Sequence, residues 1–230
     1  MNIPFKKGLI VSSQARENNP FYHDAEGLAK MAHAAELGGA VALRADGVKE
    51  ISAMKKLVKI PIIGINKMYD STGRIVITPT FESAKEVYEA GADLIAMDMT
   101  FQESDIREDI GETVRRIHEE LGIPVMADIA CAEEAARAAS LGADLVSTTL
   151  AGYLPGKEFA PEEKYVPNFK LIEDILKDER VTCPVIGEGR FWTPDALKKG
   201  MDMGLYGVVI GKAITNPMAI TEYFVSAISK

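Results

Sequence analysis

The chain of 230 residues is 47% hydrophobic and 26% charged, ordinary proportions for a globular protein that buries its own core without staples. Its net charge of −8, with no basic stripe, argues against a nucleic-acid partner, and no apolar run approaches the roughly 20 residues of a spanning helix, so no membrane partner is expected. Two cysteines, Cys131 and Cys183, are too few for a disulfide framework and fit a reducing compartment. The opening MNIPFKKGLIVSSQ reads as a lead-in to a strand and not as a signal peptide, so the expected location is cytoplasmic.

Short, almost continuously apolar runs alternate with longer amphipathic ones from end to end. The first strand is expected at Leu9–Ser12, and a helical pattern follows at Ala25–Leu37. Strands are then expected at Val41–Leu43 and Ile62–Ile65. Met68–Thr80, with Tyr69-Asp70-Ser71-Thr72-Gly73 ahead of Ile75–Ile77, reads as a hairpin-like insertion. Next come a helix at Ser83–Ala90, a strand at Leu94–Met97, a helix at Ile110–Leu121, a strand at Val125–Ala127, a helix at Ala132–Leu141 and a strand at Leu145–Ser147. The Gly-, Pro- and charge-rich stretch Ala151–Pro167 breaks the rhythm and reads as a long loop. A helix at Asn168–Asp178, a strand at Val185–Gly187, a helix at Pro194–Met203, a strand at Val208–Ile210 and a helix at Pro217–Ile228 complete the chain.

Apolar strands buried on both faces and separated by helices call for a parallel sheet with crossover helices. Four helix-to-strand junctions repeat: LGGAVAL at 37–43, AGADLIAM at 90–97, LGADLVST at 141–148 and MGLYGVVI at 203–210. Glycine is expected to end each of those helices with positive φ. Strands three, five and seven open instead with Pro: IPIIGI, IPVMAD and CPVIGE. Eight strands in this rhythm suit an α/β fold of the (β/α)8 TIM-barrel class, with residues 1–230 as a single domain. The rival open doubly wound sheet usually has only about five or six strands.

In such a barrel the functional groups stand where strands end and βα loops begin. Those positions hold Ser13-Gln14, Arg44, Asn66-Lys67, Asp98, Asp128, Thr148-Thr149, Glu188-Gly189-Arg190 and Gly211-Lys212. Strand ends must become polar somewhere, which accounts for Thr148 or Asp98 alone. It accounts less well for a Lys, an Arg, a Glu and an Asp converging on one rim. Lys67, after a wholly apolar strand and near Arg44, is expected to have a depressed pKa, suited to a general base or a Schiff base. Glu188 lies between Gly187 and Gly189, small neighbours that let a substrate approach the backbone. It reads as a general acid or a hydrogen-bond orienter, or else as a salt-bridge partner of Arg190 or Lys67. Gly189, Arg190, Gly211 and Lys212 sit after strands seven and eight, where barrels of this class bind phosphate.

No metal site is expected. His33 and His118 fall in helical patterns and read as surface residues; His23, in the loop after strand one, is a lone histidine, a poor metal ligand set. Cys131 and Cys183 would lie at opposite ends of the barrel, which excludes a disulfide between them. No dinucleotide fingerprint occurs: Gly187-x-Gly189 lacks the third glycine and follows the wrong strand.

Read in order, the rim segments resemble the bacterial N-acetylmannosamine-6-phosphate 2-epimerase family, often called NanE. The matching pieces are GLIVSSQA at 8–15, GGAVALRA at 38–45, PIIGINK at 61–67, MADIA at 126–130, STTLAGY at 147–153, VIGEGR at 185–190 with TP at 193–194, and GVVIGKAITNP at 207–217. The resemblance implies a cofactor-free interconversion of N-acetylmannosamine 6-phosphate and N-acetylglucosamine 6-phosphate in sialic acid and amino-sugar catabolism. It implies Lys67 and Glu188 as the catalytic pair, and Gln14, Arg44 and Asp128 as residues that bind sugar or support the site; the strand-end residues Thr149 and Arg190 are expected to bind substrate beside them. It places phosphate on the loops after strands seven and eight, which here carry Gly189, Gly211 and Lys212. Ser13 departs from the family's usual Cys, and Asn216 from its usual Arg before Pro; Lys212, where a small residue is common, can compensate. The expected partner is a small-molecule sugar phosphate, and a homodimer stays open. Another phospho-sugar epimerase or isomerase on the same barrel and a non-catalytic sugar-phosphate sensor are the alternatives. Metal-dependent pentose-phosphate epimerases are disfavoured by the missing histidine ligands, and a sensor needs no base such as Lys67.

Overall fold

The computed structural model describes residues 1–153 and 163–228. Eight strands close into a parallel barrel: β1 (Gly8–Ser12), β2 (Ala42–Asp46), β3 (Ile62–Ile65), β6 (Leu94–Asp98), β7 (Val125–Asp128), β8 (Leu145–Ser147), β9 (Val185–Glu188) and β10 (Gly207–Ile210). The ring runs β1-β10-β9-β8-β7-β6-β3-β2 and returns to β1. Every neighbouring pair is parallel. The expected strands are all present, several one to three residues longer at their C-terminal ends. Each extension ends on a charged residue: Arg44 to Asp46, Asp98, Asp128 and Glu188.

The outer layer contains α1 (Ala25–Leu37), α2 (Val48–Lys55), α3 (Phe81–Glu89), α4 (Ile110–Arg116), α5 (Ala132–Ser140), α6 (Phe169–Lys177), α7 (Pro194–Asp202), the single turn α8 (Lys212–Thr215) and α9 (Pro217–Ile228). The pattern expected at Ile110–Leu121 holds, except that its last turn, Ile117–Leu121, is π-helical and closed by left-handed Gly122. α2 was not among the expected helices: it is short, and only Ile51 and Met54 are buried. At the four repeated junctions Gly39, Gly91, Gly142 and Gly204 have φ of 98°, 112°, 95° and 112°, the helix-ending conformation that a Cβ disfavours.

The period-two alternation of the strands sorts the core into two shells. Ile10, Ala42, Ile63, Ile65, Leu94, Ala96, Met126, Leu145, Ile186 and Val209 fill the barrel interior, with Phe5 below them. Residues one position off, such as Val11, Leu43, Ile95, Ala127, Val146 and Val208, pack outward against the helices. The same parity carries Ser12, Arg44, Asp128, Ser147 and Glu188 inward at the top of the barrel. Ser12 pairs with Arg44, Asp128 with Ser147, and Val209 with Glu188 in the strand register.

The Met68–Thr80 insertion is a hairpin of β4 (Lys67–Tyr69) and β5 (Ile75–Ile77), antiparallel, with Lys67 opposite Ile77. Lys67 is therefore the first residue of the hairpin, two residues past the end of a barrel strand. Within the expected long loop Ala151–Pro167, residues 154–162 lie outside the described residues.

Candidate active site

Arg44, from β2, is only 1% exposed. A buried guanidinium is costly unless its donors are matched, and Arg44 reaches across the barrel to Asp128 on β7 with a bidentate pair of 3.0 and 2.5 Å. Its Nη1 also lies 3.4 Å from Glu188 Oε2. Burial works against this charge, but Asp128 and then Glu188 hold the Arg44 pKa above its ordinary value. The Nε of Arg44 is buried and has no partner among the described residues.

Lys67 is half-buried. Its Nζ lies 3.0 Å from Asp46 Oδ2 and donates to Gln14 Oε1, while its backbone N–H donates to Asp46 Oδ1 at 3.1 Å. Gln14 is steadied in turn by donating to Ser12 Oγ at 2.8 Å. Burial lowers the Lys67 pKa, opposed by Asp46 and reinforced by the positive charges of Arg16 and Arg44. The direction agrees with the sequence expectation. The Asp46 ion pair, which restrains the shift, was not foreseen, because the second strand was expected to stop at Leu43. Continuing the 42, 44, 46 parity by two more residues would have found it.

Glu188 ends β9 with one edge open to the cavity. Its backbone is clasped by Thr148: the hydroxyl donates to Glu188 O at 2.8 Å and accepts from Glu188 N at 2.9 Å. The carboxyl pairs with Arg44, and neither Arg190 nor Lys67 forms a salt bridge with it. Burial raises its pKa; Arg44 pulls the other way and the negative Asp128 adds to the rise. Thr149 Oγ1 lies 2.6 Å from Asp128 Oδ1, 2.9 Å from Ser147 Oγ and 2.9 Å from Glu188 Oε2. Gly187 has a packing role in place of the expected substrate approach: a Cβ there would meet Leu205 at 2.6 Å and the Phe191 ring at 3.1 Å. Gly189, with φ of 104° and the Tyr153 ring 3.8 Å from where a Cβ would stand, turns the chain out of the barrel.

These groups line a cavity of about 430 Å³. Gln14, Arg44, Lys67, Thr149, Glu188, Gly189, Arg190, Gly211 and Lys212 all face it. Asp128 does not. It is fully buried behind Arg44 and Thr149, so of the two roles expected for it, sugar contact gives way to support of those two side chains. Ser13 also faces away: its buried hydroxyl donates to Leu28 O at 2.9 Å, tying β1 to α1. Asn216 does reach the wall, where its Oδ1 accepts from Ala219 N at 3.0 Å and caps α9. Asp98 takes the bland reading. It is buried between Arg74 at 3.0 Å and Arg107 at 3.3 Å and stands apart from the cavity wall.

The mouth is basic in a chain of net negative charge. Arg16, Lys164, Arg190 and Lys212 line it, with Tyr153, Tyr165 and Trp192. None of Arg16, Lys164 and the three aromatic residues was singled out in the sequence, since all lie in loops without periodicity. Burial lowers the Lys212 pKa, helped by Arg16 and Lys164 and opposed by Glu222. His23 is exposed against Tyr22 and does not line the cavity. His118, expected at the surface, is half-buried and pairs with Asp144 at 2.8 Å. Among the described residues no cluster of His, Cys, Asp and Glu could hold a metal ion. Burial raises the Cys131 thiol and pushes Cys183 up to about 11, so neither is an activated nucleophile.

The chain is similar to proteins named "Putative N-acetylmannosamine-6-phosphate 2-epimerase" from Caldanaerobacter subterraneus subsp. tengcongensis, 47% identical over 98% of this chain and 92% of that one, and from Cutibacterium acnes, 42% identical over 96% and 93%. The solved structure of the N-acetylmannosamine-6-phosphate 2-epimerase from Clostridium perfringens superposes with a TM-score of 0.87 at 41% identity, covering 95% of this chain and 92% of that one. The family model NanE, described as "Putative N-acetylmannosamine-6-phosphate epimerase", matches residues 28–230, and the chain belongs to that family.

Proposed function

We propose that this protein interconverts N-acetylmannosamine 6-phosphate and N-acetylglucosamine 6-phosphate by removing and returning the proton at C2. One observation carries the reading. A half-buried lysine of lowered pKa faces the same cavity as a buried guanidinium and a carboxyl of raised pKa, beneath a basic mouth. In the ring-opened sugar the C1 aldehyde acidifies the C2 proton. Lys67 takes that proton as general base and, as the ammonium, gives it to the opposite face of the planar enolate. Arg44 offsets the oxyanion charge. Glu188 assists ring opening or orients the acetamido group.

The phosphate lies at the mouth, on Lys212, Arg190 and the backbone of Gly189 and Gly211. Lys212 supplies the cation that Asn216 does not. No step needs a metal or cofactor. A dianionic sugar phosphate does not cross a bilayer unaided, so this reading implies a cytoplasmic site of action. Residues 1–230 act as one barrel domain, since the site draws on β1, β2, β8, β9, β10 and the hairpin together. A homodimer joined through α9 is part of the same proposal: none of the twelve residues of α9 is buried, and Phe224 and Ile228 are 68% and 84% exposed.

The test is proton NMR of N-acetylglucosamine 6-phosphate with the protein in D2O. The expected result is loss of the C2 proton signal with growth of the manno epimer, and Lys67→Ala slows both by roughly 10²–10⁴-fold, the worth of a positioned base. Binding without exchange overturns the reading in favour of a sensor. Exchange leading to a different product favours another sugar-phosphate isomerase.

A further inference from the structure

The proton count around Thr149 does not close if every carboxyl in the site is ionised. A hydroxyl donates one proton and accepts at two lone pairs. Thr149 Oγ1 has three oxygen neighbours: Asp128 Oδ1 at 2.6 Å, Ser147 Oγ at 2.9 Å and Glu188 Oε2 at 2.9 Å. The Ser147 hydroxyl has no other partner among the described residues, so it donates to Thr149. The single Thr149 proton goes to the nearer acceptor, the fully buried Asp128. The 2.9 Å contact with Glu188 then needs a proton of its own, and only Glu188 can supply it.

Charge balance leads to the same assignment. Arg44 makes its two short hydrogen bonds to Asp128 and approaches Glu188 only to 3.4 Å. Lys67 is matched by Asp46. Each of the two cations nearest Glu188 already has its own carboxylate, so an ionised Glu188 would be a third anion among these five groups. The titratable and charged groups facing Glu188 are Arg44 from β2, Lys67 from β4, Asp128 from β7 and Tyr153 after β8.

We propose that Thr149 is a positioning residue that keeps Glu188 protonated in the empty site, accepting its hydrogen bond while donating to Asp128. Thr149 thus acts through Glu188 and not on the sugar, in contrast with the substrate contact expected from sequence. Burial and the negative charge of Asp128 favour the neutral acid, against the positive charges of Arg44 and Lys67 and against any hydrogen bond that Thr149 donates to the carboxylate. Glu188 therefore meets the sugar as a proton donor. That last role rests on the epimerase reading; the protonation state does not.

Infrared difference spectra of the wild type against Glu188→Gln isolate the Glu188 carboxyl. The expected result is the carbonyl band of a neutral acid at neutral pH, lost only on titration to alkali. Thr149→Val removes the acceptor, so the midpoint of that titration moves to lower pH; Thr149→Ser restores it. In steady-state assays Thr149→Val lowers kcat about tenfold, the effect of one hydrogen bond, with KM within about twofold, and Thr149→Ser recovers the rate. An ionised Glu188 at neutral pH in the wild type overturns the proposal. So does a Thr149→Val midpoint that stays put or rises, since that means the hydroxyl donates to the carboxylate. The infrared measurement needs no turnover, so it decides the point even if the epimerase reading fails.

Discussion

Lys67 and Asp46 form a pair whose balance sets the working pH. Burial favours the neutral amine, and the Asp46 carboxylate 3.0 Å away favours the ammonium. As a base Lys67 must be neutral, so kcat/KM rises as pH climbs through its pKa, which lies below the ordinary lysine value of about 10.4. Asp46→Asn keeps an acceptor for the Lys67 backbone but removes the negative charge that holds the proton. The pKa then falls further, and the acidic limb of the kcat/KM profile is expected to move to lower pH. A limb that moves up, or not at all, removes Asp46 from this role. At the mouth, Lys212→Ala should raise KM for the sugar phosphate roughly 10- to 100-fold, the scale of one charged hydrogen bond. A small effect on kcat is expected, because Lys212 touches the phosphate end and not C2. An unchanged KM would return the phosphate to other groups.

The hairpin of β4 and β5 is the element on which Lys67 depends, and one side chain organises its turn. Asp70 accepts from Thr72 N at 3.0 Å, Thr72 Oγ1 at 2.6 Å, Arg74 N at 2.9 Å and Arg74 Nε at 3.3 Å. The Thr72 hydroxyl foremost, with the Arg74 and Thr72 backbone N–H groups, holds its pKa down to about 2. The sign of the linkage follows. The folded value lies below the unfolded one of about 3.9, so this contribution is full above the unfolded pKa and is lost as pH falls through about 2. Asp70→Ala should speed amide exchange across Ser71–Arg74 and, by loosening the start of β4, lower the epimerase rate without changing the fold. Protection equal to that of the wild type would show that the β4–β5 ladder and the Arg74–Asp98 pair suffice. The hairpin was legible in sequence, because Asp-Ser-Thr-Gly between apolar runs is turn chemistry. α2 was less so: with two buried positions in eight residues, its helicity comes from packing on α1 foremost, and on β2 and β3, more than from its own pattern.

At the scale of the whole molecule, α9 is a helix without a floor. Twelve residues are too few for a stable helix in water on propensity alone, and its large apolar side chains face solvent. Yet Tyr223 packs against Trp192 and Tyr165 at ring-centroid distances of 5.0 and 4.7 Å, so the helix borders the cavity mouth. A second copy laid on α9 would bury this face. The double variant Phe224→Glu with Ile228→Glu is expected to convert a dimer into a monomer in light scattering coupled to size exclusion. A wild type that is already monomeric at micromolar concentration rejects the dimer.

The sequence by itself determined the order of the elements, the closed parallel barrel and the list of rim residues. Periodicity, helix-ending glycines and strand-opening prolines are local signals, and a run buried on both faces needs no knowledge of its neighbours. The conjunction of Lys67, Arg44 and Glu188 in one cavity was legible because strand ends of a barrel converge by construction. Only the tertiary structure decided which rim residues face the substrate space. Parity and reach turned Asp128 into a buried anchor and Ser13 into a helix tie, brought Asp46 to Lys67, and gathered Arg16, Lys164 and Trp192 from loops with no pattern to read. The same holds for the proton on Glu188. It depends on how two cations, two anions and one hydroxyl pair off around it from separate strands and the turn after β8, and such distances exist only once the ring is closed.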